Sequence, residues 1–245
     1  MKKVSYLLVT FMVFVTARFA GAQQSDAVVN IPVAQLRAAY RASFGRDPNL
    51  GVYEQLALAI NRSRDQYFPG AAGGFWNGVV NQNGADHSQD TYSIVTIGQG
   101  RFGENPQRIP LKALGAALAS VVGRPPNFAA YSDLALSIDR YQAQSVHCSG
   151  GFWNGERAFV GGVPAFGIVW VSSAAPPQNV PVEQLIGSFA ARTQRQPNFA
   201  VYGDMAFAVS CWIEDHEKGQ ALGGFWNGEK VRSGAGMVYG IVMVK

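Results

Sequence analysis

Little in this chain can ligate a metal or run acid–base chemistry. Of its 245 residues, three are histidine, two are cysteine, and 15% are charged. So thin a supply of donors argues against a metal centre, and no cofactor is expected. Walker, dinucleotide, His-Glu-x-x-His and Gly-x-Ser-x-Gly motifs are all missing, which removes the commonest nucleotide-binding and hydrolytic signatures. No apolar run reaches the ~20 residues a membrane-spanning helix needs, so no transmembrane span is expected.

The longest apolar stretch, residues 4–15, follows Lys2 and Lys3 and precedes Ala20-Gly21-Ala22. That order reads as an export signal over 1–22, cleaved after Ala22. The expected location is therefore secreted or periplasmic. Removing Lys2, Lys3 and Arg18 leaves seventeen basic residues against sixteen acidic ones, a net charge of about +1. A chain so balanced has no polyanion-binding character, and nucleic acid is not an expected partner. In an oxidising compartment the pair Cys148 and Cys211 reads as a disulfide. Two free thiols, one of them reactive, are the alternative.

What the chain does have is repetition. Gly-Gly-Phe-Trp-Asn-Gly stands at 73–78, 150–155 and 223–228. Upstream of each copy lies Arg-x-Pro-Asn, beginning at Arg46, Arg124 and Arg195, followed by Tyr53, Tyr131 and Tyr202. A period of roughly 70–80 residues exceeds that of most solenoids and approaches a small domain. The expected organisation is three homologous units, 23–104, 105–175 and 176–245.

Each unit opens with a proline, Pro32, Pro110 or Pro181, suited to the first helical turn because its missing N–H has no helical partner. Apolar residues at helical spacing follow, as with Val33, Leu36, Tyr40 and Phe44. Arg-x-Pro-Asn ends that helix, and Asn49, Asn127 and Asn198 are N-cap candidates for a second one. Asn-Gly favours a type I′ turn, so Phe-Trp-Asn-Gly reads as a strand entering a tight hairpin. Further strands are expected at 156–160 and 166–171, with equivalents of the last at 92–97 and 239–244. The expected fold is thus α+β, three tandem α-α-β-β-β repeats packed as one pseudo-symmetric body, in a closed threefold ring or an open arc.

The residues shared by all copies are the candidate site. Trp76, Trp153 and Trp226 could offer three aromatic platforms to sugar rings, or could plug the gap between sheet and helices. Arg46, Arg124 and Arg195 could contact anions, or could serve a helix C-terminus. Asn77, Asn154 and Asn227 suit a turn backbone better than a ligand. Asp133 and Asp204 are matched by Gln55, which argues against an acid–base pair. Where the copies differ, Asp86, His87 and Asp90 form a polar loop, and Cys148 could pair with His216 as a nucleophile.

The functional expectation is a non-catalytic binding protein of the envelope or extracellular space. Its partner would be a glycan, cell-wall polymer or protein, held with avidity by repeated aromatic sites. A structural or assembly protein is the first alternative and a cysteine-dependent hydrolase the second.

Overall fold

A computed structural model describes residues 26–245 except 84, 86, 100–104, 173–175 and 235; the expected export signal lies outside the described residues. The fold is α+β. Among the described residues there are six helices and three antiparallel sheets of three strands. The first unit comprises β1 (Ala27–Pro32), α1 (Val33–Phe44), α2 (Tyr53–Tyr67), β2 (Ala71–Asn81) and β3 (Thr91–Gly98). The second comprises β4 (Gln107–Pro110), α3 (Leu111–Val122), α4 (Tyr131–Ser145), β5 (Gly150–Val160) and β6 (Val163–Val171). The third comprises β7 (Gln178–Pro181), α5 (Val182–Thr193), α6 (Tyr202–His216), β8 (Gly223–Ser233) and β9 (Gly236–Val244).

Each unit therefore has the expected two helices and three strands. One strand, however, comes before the helices rather than after them. β1 pairs with β3, β4 with β6 and β7 with β9, so the last strand of each unit lies in the middle of its sheet. Pro32, Pro110 and Pro181 stand at the junction in extended geometry, with φ near −57°. Proline cannot donate to a ladder and costs nothing at a helix start, so it ends the strand and begins the helix in one step. The first helix of each unit then stops on a left-handed residue: Gly45, Gly123 and Gln194. Glycine takes that conformation freely; glutamine in the third unit does not.

Asn49, Asn127 and Asn198 do not cap the second helix directly. Each side-chain oxygen accepts the N–H two residues on, at 3.1 Å, in an Asx-turn that leads into the helix. Val52, Ala130 and Val201 are the residues at the cap itself.

Asn-Gly likewise makes no hairpin. Asn77-Gly78, Asn154-Gly155 and Asn227-Gly228 lie inside eleven-residue strands, where the register shifts. The motif is a bulge. Its glycines have φ near +90°, the geometry for which Asn-Gly also serves in turns. The chain reverses later, at Gly161-Gly162 in the second unit.

The bulge is where units meet. A Cβ on Gly155 would stand 2.6 Å from the carbonyl of Ala57 in α2, one unit back. Gly228 abuts α4 and Gly78 abuts α6 in the same way. Strand β5 thus docks on the first unit, β8 on the second, and β2 on the third. The circuit closes on itself, so the three units form a ring rather than an arc.

The ring axis is aromatic. Tyr53, Tyr131 and Tyr202 meet with centroids 4.6–4.8 Å apart. Phe75, Phe152 and Phe225 form a second trio at 5.2–5.6 Å. The phenylalanines sit in a core built by all three sheets, together with Val95, Val169 and Val242. Each unit has its own core as well, and a neighbour's tyrosine completes it: Tyr202 for the first, Tyr53 for the second, Tyr131 for the third.

Candidate functional site

The threefold residues are structural in their contacts. Trp76, Trp153 and Trp226 are 8%, 2% and 1% exposed. Each indole N–H donates to the carbonyl three residues on, at 2.8–2.9 Å. Each ring stacks on the aromatic of the adjacent strand: Tyr92, Phe166 or Tyr239. Its backbone carbonyl accepts the hydroxyl of a neighbour's axial tyrosine, Tyr202, Tyr53 or Tyr131, at 2.8–3.0 Å. Burial pushes the pKa of all three axial phenols up, so they remain donors. In place of three exposed platforms, the tryptophans are the pins of the ring. Asn77, Asn154 and Asn227 accept the N–H two residues on and fix the bulge.

The three arginines are engaged within their own units. Arg124 grips Asp133 with two bonds of 2.6 and 2.9 Å, and Arg195 grips Asp204 with two of 2.7 and 2.6 Å. The guanidinium beside each carboxyl holds it below the usual carboxylate range. The same carboxylates accept the N–H of Asn127 and Asn198. In the first unit Gln55 takes the acid's place, accepting from Arg46 at 3.2 Å and from the N–H of Asn49 at 2.8 Å. Arg46, Arg124 and Arg195 therefore tie the helix junction together. Sequence reasoning found both partners without joining them. Their constant offset of nine residues in every copy was the available signal.

Cys148 and Cys211 are free thiols in this structure. They have different neighbours: Cys148 bonds the carbonyl of Gly150, while Arg192, Glu214 and Asp215 act on Cys211. Burial pushes both thiols up to about 11, the opposite of an activated nucleophile. His216 is stacked on Trp212 and bonded through Nδ1 to its carbonyl oxygen, so it is held within α6. His87 pairs with Asp90 at 3.3 Å; Asp86 lies outside the described residues. Among the described residues no group of three potential ligands could hold a metal ion, and no helix is long and apolar enough to cross a membrane.

A large cavity lies where symmetry fails. It encloses about 490 Å³ in the second unit. Its floor is Phe166, packed edge-on against Phe128 at 5.7 Å, and its flanks include Leu111 and Ala158. Its lip is the β5–β6 hairpin. Phe159 there is 75% exposed, and Val160 and Val163 are exposed beside it. Arg157 and Glu54 guard the opposite rim, joined at 2.7 Å across the boundary with the first unit.

The strand registers align the three hairpins. Arg157, Val80 and Lys230 are equivalent, each facing the aromatic that stacks on its tryptophan. Two residues further on, Phe159 corresponds to Gln82 and Arg232. In the third unit Lys230 lies over Trp226 and Tyr239, at 5.1 and 5.4 Å, and in the second Arg157 lies over Trp153 at 6.0 Å, so these two units share a cation at this position and differ two residues further on. In the first unit Asn81 bonds Asn30, Thr91 and Ser93, giving a polar rim. The second unit presents an apolar groove beside the exposed Phe159. An apolar concavity with a few rim charges suits binding.

Comparison with family models, with curated proteins and with solved structures finds no match to this chain.

Proposed function

We propose that the protein is an exported, non-catalytic binding protein of the envelope or extracellular space, and that its binding site is the groove of the second unit. The partner is a protein that inserts an apolar side chain between Phe159 and Phe166. One observation carries this reading: where the first and third units have Gln82 and Arg232, the second has the exposed Phe159 beside an apolar cavity. Exposed contiguous apolar surface beside a cavity is the usual mark of an interaction site. The buried indoles remove the support for glycan recognition through stacked tryptophans. The apolar strip also favours the assembly alternative, in which the partner is another subunit.

The test uses Phe159→Arg, which places in the second unit the residue the third unit has there. An apolar fluorescent probe, anilinonaphthalene sulfonate, should bind the wild type with enhanced emission and bind the folded variant several-fold less. Neither should pellet with purified cell-wall sacculi or insoluble polysaccharide. Equal probe emission from both proteins would overturn the groove as the site. Co-sedimentation that does not depend on Phe159 would return the choice to a wall polymer.

A further inference from the structure

We infer that the partner of this groove is a second copy of the same chain, docked about a twofold axis through the β5–β6 hairpin. The inference rests on the groove's being a binding site, and three features of the patch select the occupant. The first is shape. A twofold interface uses one patch twice, so that patch must carry both the projection and the recess. Here Phe159 projects and the cavity over Phe166 and Phe128 receives, side by side on one hairpin.

The second feature is charge. The rim carries one acid, Glu54, and one base, Arg157, already paired. A rim with one charge of each sign meets its own copy without net like-charge repulsion. The third feature is the strand. β5 lies at the edge of its sheet, since the strand order is β4-β6-β5. Its inner half is covered by α2, but Arg157, Phe159 and Val160 are exposed. An apolar edge strand invites antiparallel pairing with another strand, and its own copy meets it antiparallel about a twofold axis. β5 and β8 share a cation at Arg157 and Lys230, but β8 carries a second, Arg232, where β5 has Phe159, and that added charge opposes such pairing.

A patch of one hairpin and its rim is smaller than a standard interface, so the dimer is reversible and its population depends on concentration. Formation of the dimer fills the groove. Sedimentation velocity over a range of about 1–200 µM should show wild type moving from monomer towards dimer, with midpoint in the micromolar range usual for small interfaces. Anilinonaphthalene sulfonate emission per molecule should fall over the same range. Phe159→Arg, and separately Val160→Lys, should weaken association about tenfold or more while circular dichroism stays unchanged. A wild type that stays monomeric throughout overturns the inference; if its probe binding still depends on Phe159, the groove survives as a site for another protein. Monomer together with probe binding indifferent to Phe159 overturns both readings. A dimer that persists in both variants places self-association on another face and also overturns the inference.

Discussion

Around the axis the three units repeat one another almost residue for residue; at the hairpin tips they have parted. The axial trios Tyr53, Tyr131, Tyr202 and Phe75, Phe152, Phe225 are chemically identical across units. So are the bulge glycines that touch a neighbour's helix. The tips carry Gln82, Phe159 and Arg232 at one equivalent position. The difference follows from packing. A residue at the axis touches two other units, so any change must suit three surfaces at once. A residue at a tip faces solvent and constrains no neighbour. Repetition in this chain therefore marks closure of the ring, and divergence marks the place free to acquire a partner.

The sharpest way to break that contrast is to put a methyl group at each kind of glycine. Gly155→Ala meets both a φ of +89° and the backbone of α2, neither of which can yield. It should cost more than ~3 kcal/mol in urea unfolding, among the largest single-residue effects. Gly161→Ala, with φ +57° and open space around it, should cost about 1 kcal/mol. Equal losses at the two sites would mean that the bulge does not set the ring contact.

The seams between units can be distinguished by pH. Asp139 in α4 is buried; its Oδ1 accepts a hydrogen bond from Nδ2 of Asn227 at 2.7 Å, and its Oδ2 lies 3.7 Å from the Arg140 guanidinium. The equivalent positions in the other units are Asn61 and Ser210. Burial pushes the Asp139 carboxyl up to about 6; Arg140 and the Asn227 bond pull it down, while Glu229 pushes it further up. A carboxyl whose pKa is raised by folding binds its proton more tightly in the native state. Its contribution is thus most favourable below the ordinary carboxylate value and is lost as pH rises from about 4 to about 6. The loss should be on the order of 2–3 kcal/mol, measured as a fall in urea midpoint, and Asp139→Asn should flatten the profile over that window.

Smaller effects test whether the three pins are equal. Tyr53→Phe, Tyr131→Phe and Tyr202→Phe each remove one hydroxyl and leave a tryptophan carbonyl without that donor. Each should cost about 1–2 kcal/mol by thermal unfolding, and the three values should agree. A spread much wider than that would show that the geometric symmetry is not an energetic one. The smallest change is a gain. Gln55→Asp would give the first unit the carboxylate the other two have, and should stabilise by up to about 0.5 kcal/mol, an effect that salt diminishes.

Much of the local fold was legible because its signals are local. The proline before each first helix and the apolar spacing of Leu36 and Tyr40 act within a few residues; Asn49 is local too, but it forms an Asx-turn rather than the expected cap. The first strand of each unit was not legible. β7 is four residues, Gln-Asn-Val-Pro, with Val180 alone buried, too short for an alternating pattern to emerge. Asn-Gly misled because positive φ serves a bulge as readily as a hairpin; only the covering helix distinguishes them. The groove was missed because attention fell on what repeats. Phe159 is conspicuous only when set beside Gln82 and Arg232, each four residues past the last glycine of the shared motif.

The closed circuit has a consequence for copy number. In a linear array a unit can be added or dropped at an end. Here β2 of the first unit is covered by α6 of the last, so there is no end at which to add one. Removing a unit uncovers one strand face and one helix face that match each other but can no longer meet. A single unit excised alone carries both faces, and three separate copies of it can remake the axial tyrosine and phenylalanine trios and the bulge contacts of the tethered chain. Residues 105–172 expressed alone should therefore recover the ring only as a homotrimer, and the tether's role is to replace a concentration-dependent assembly with a folding reaction.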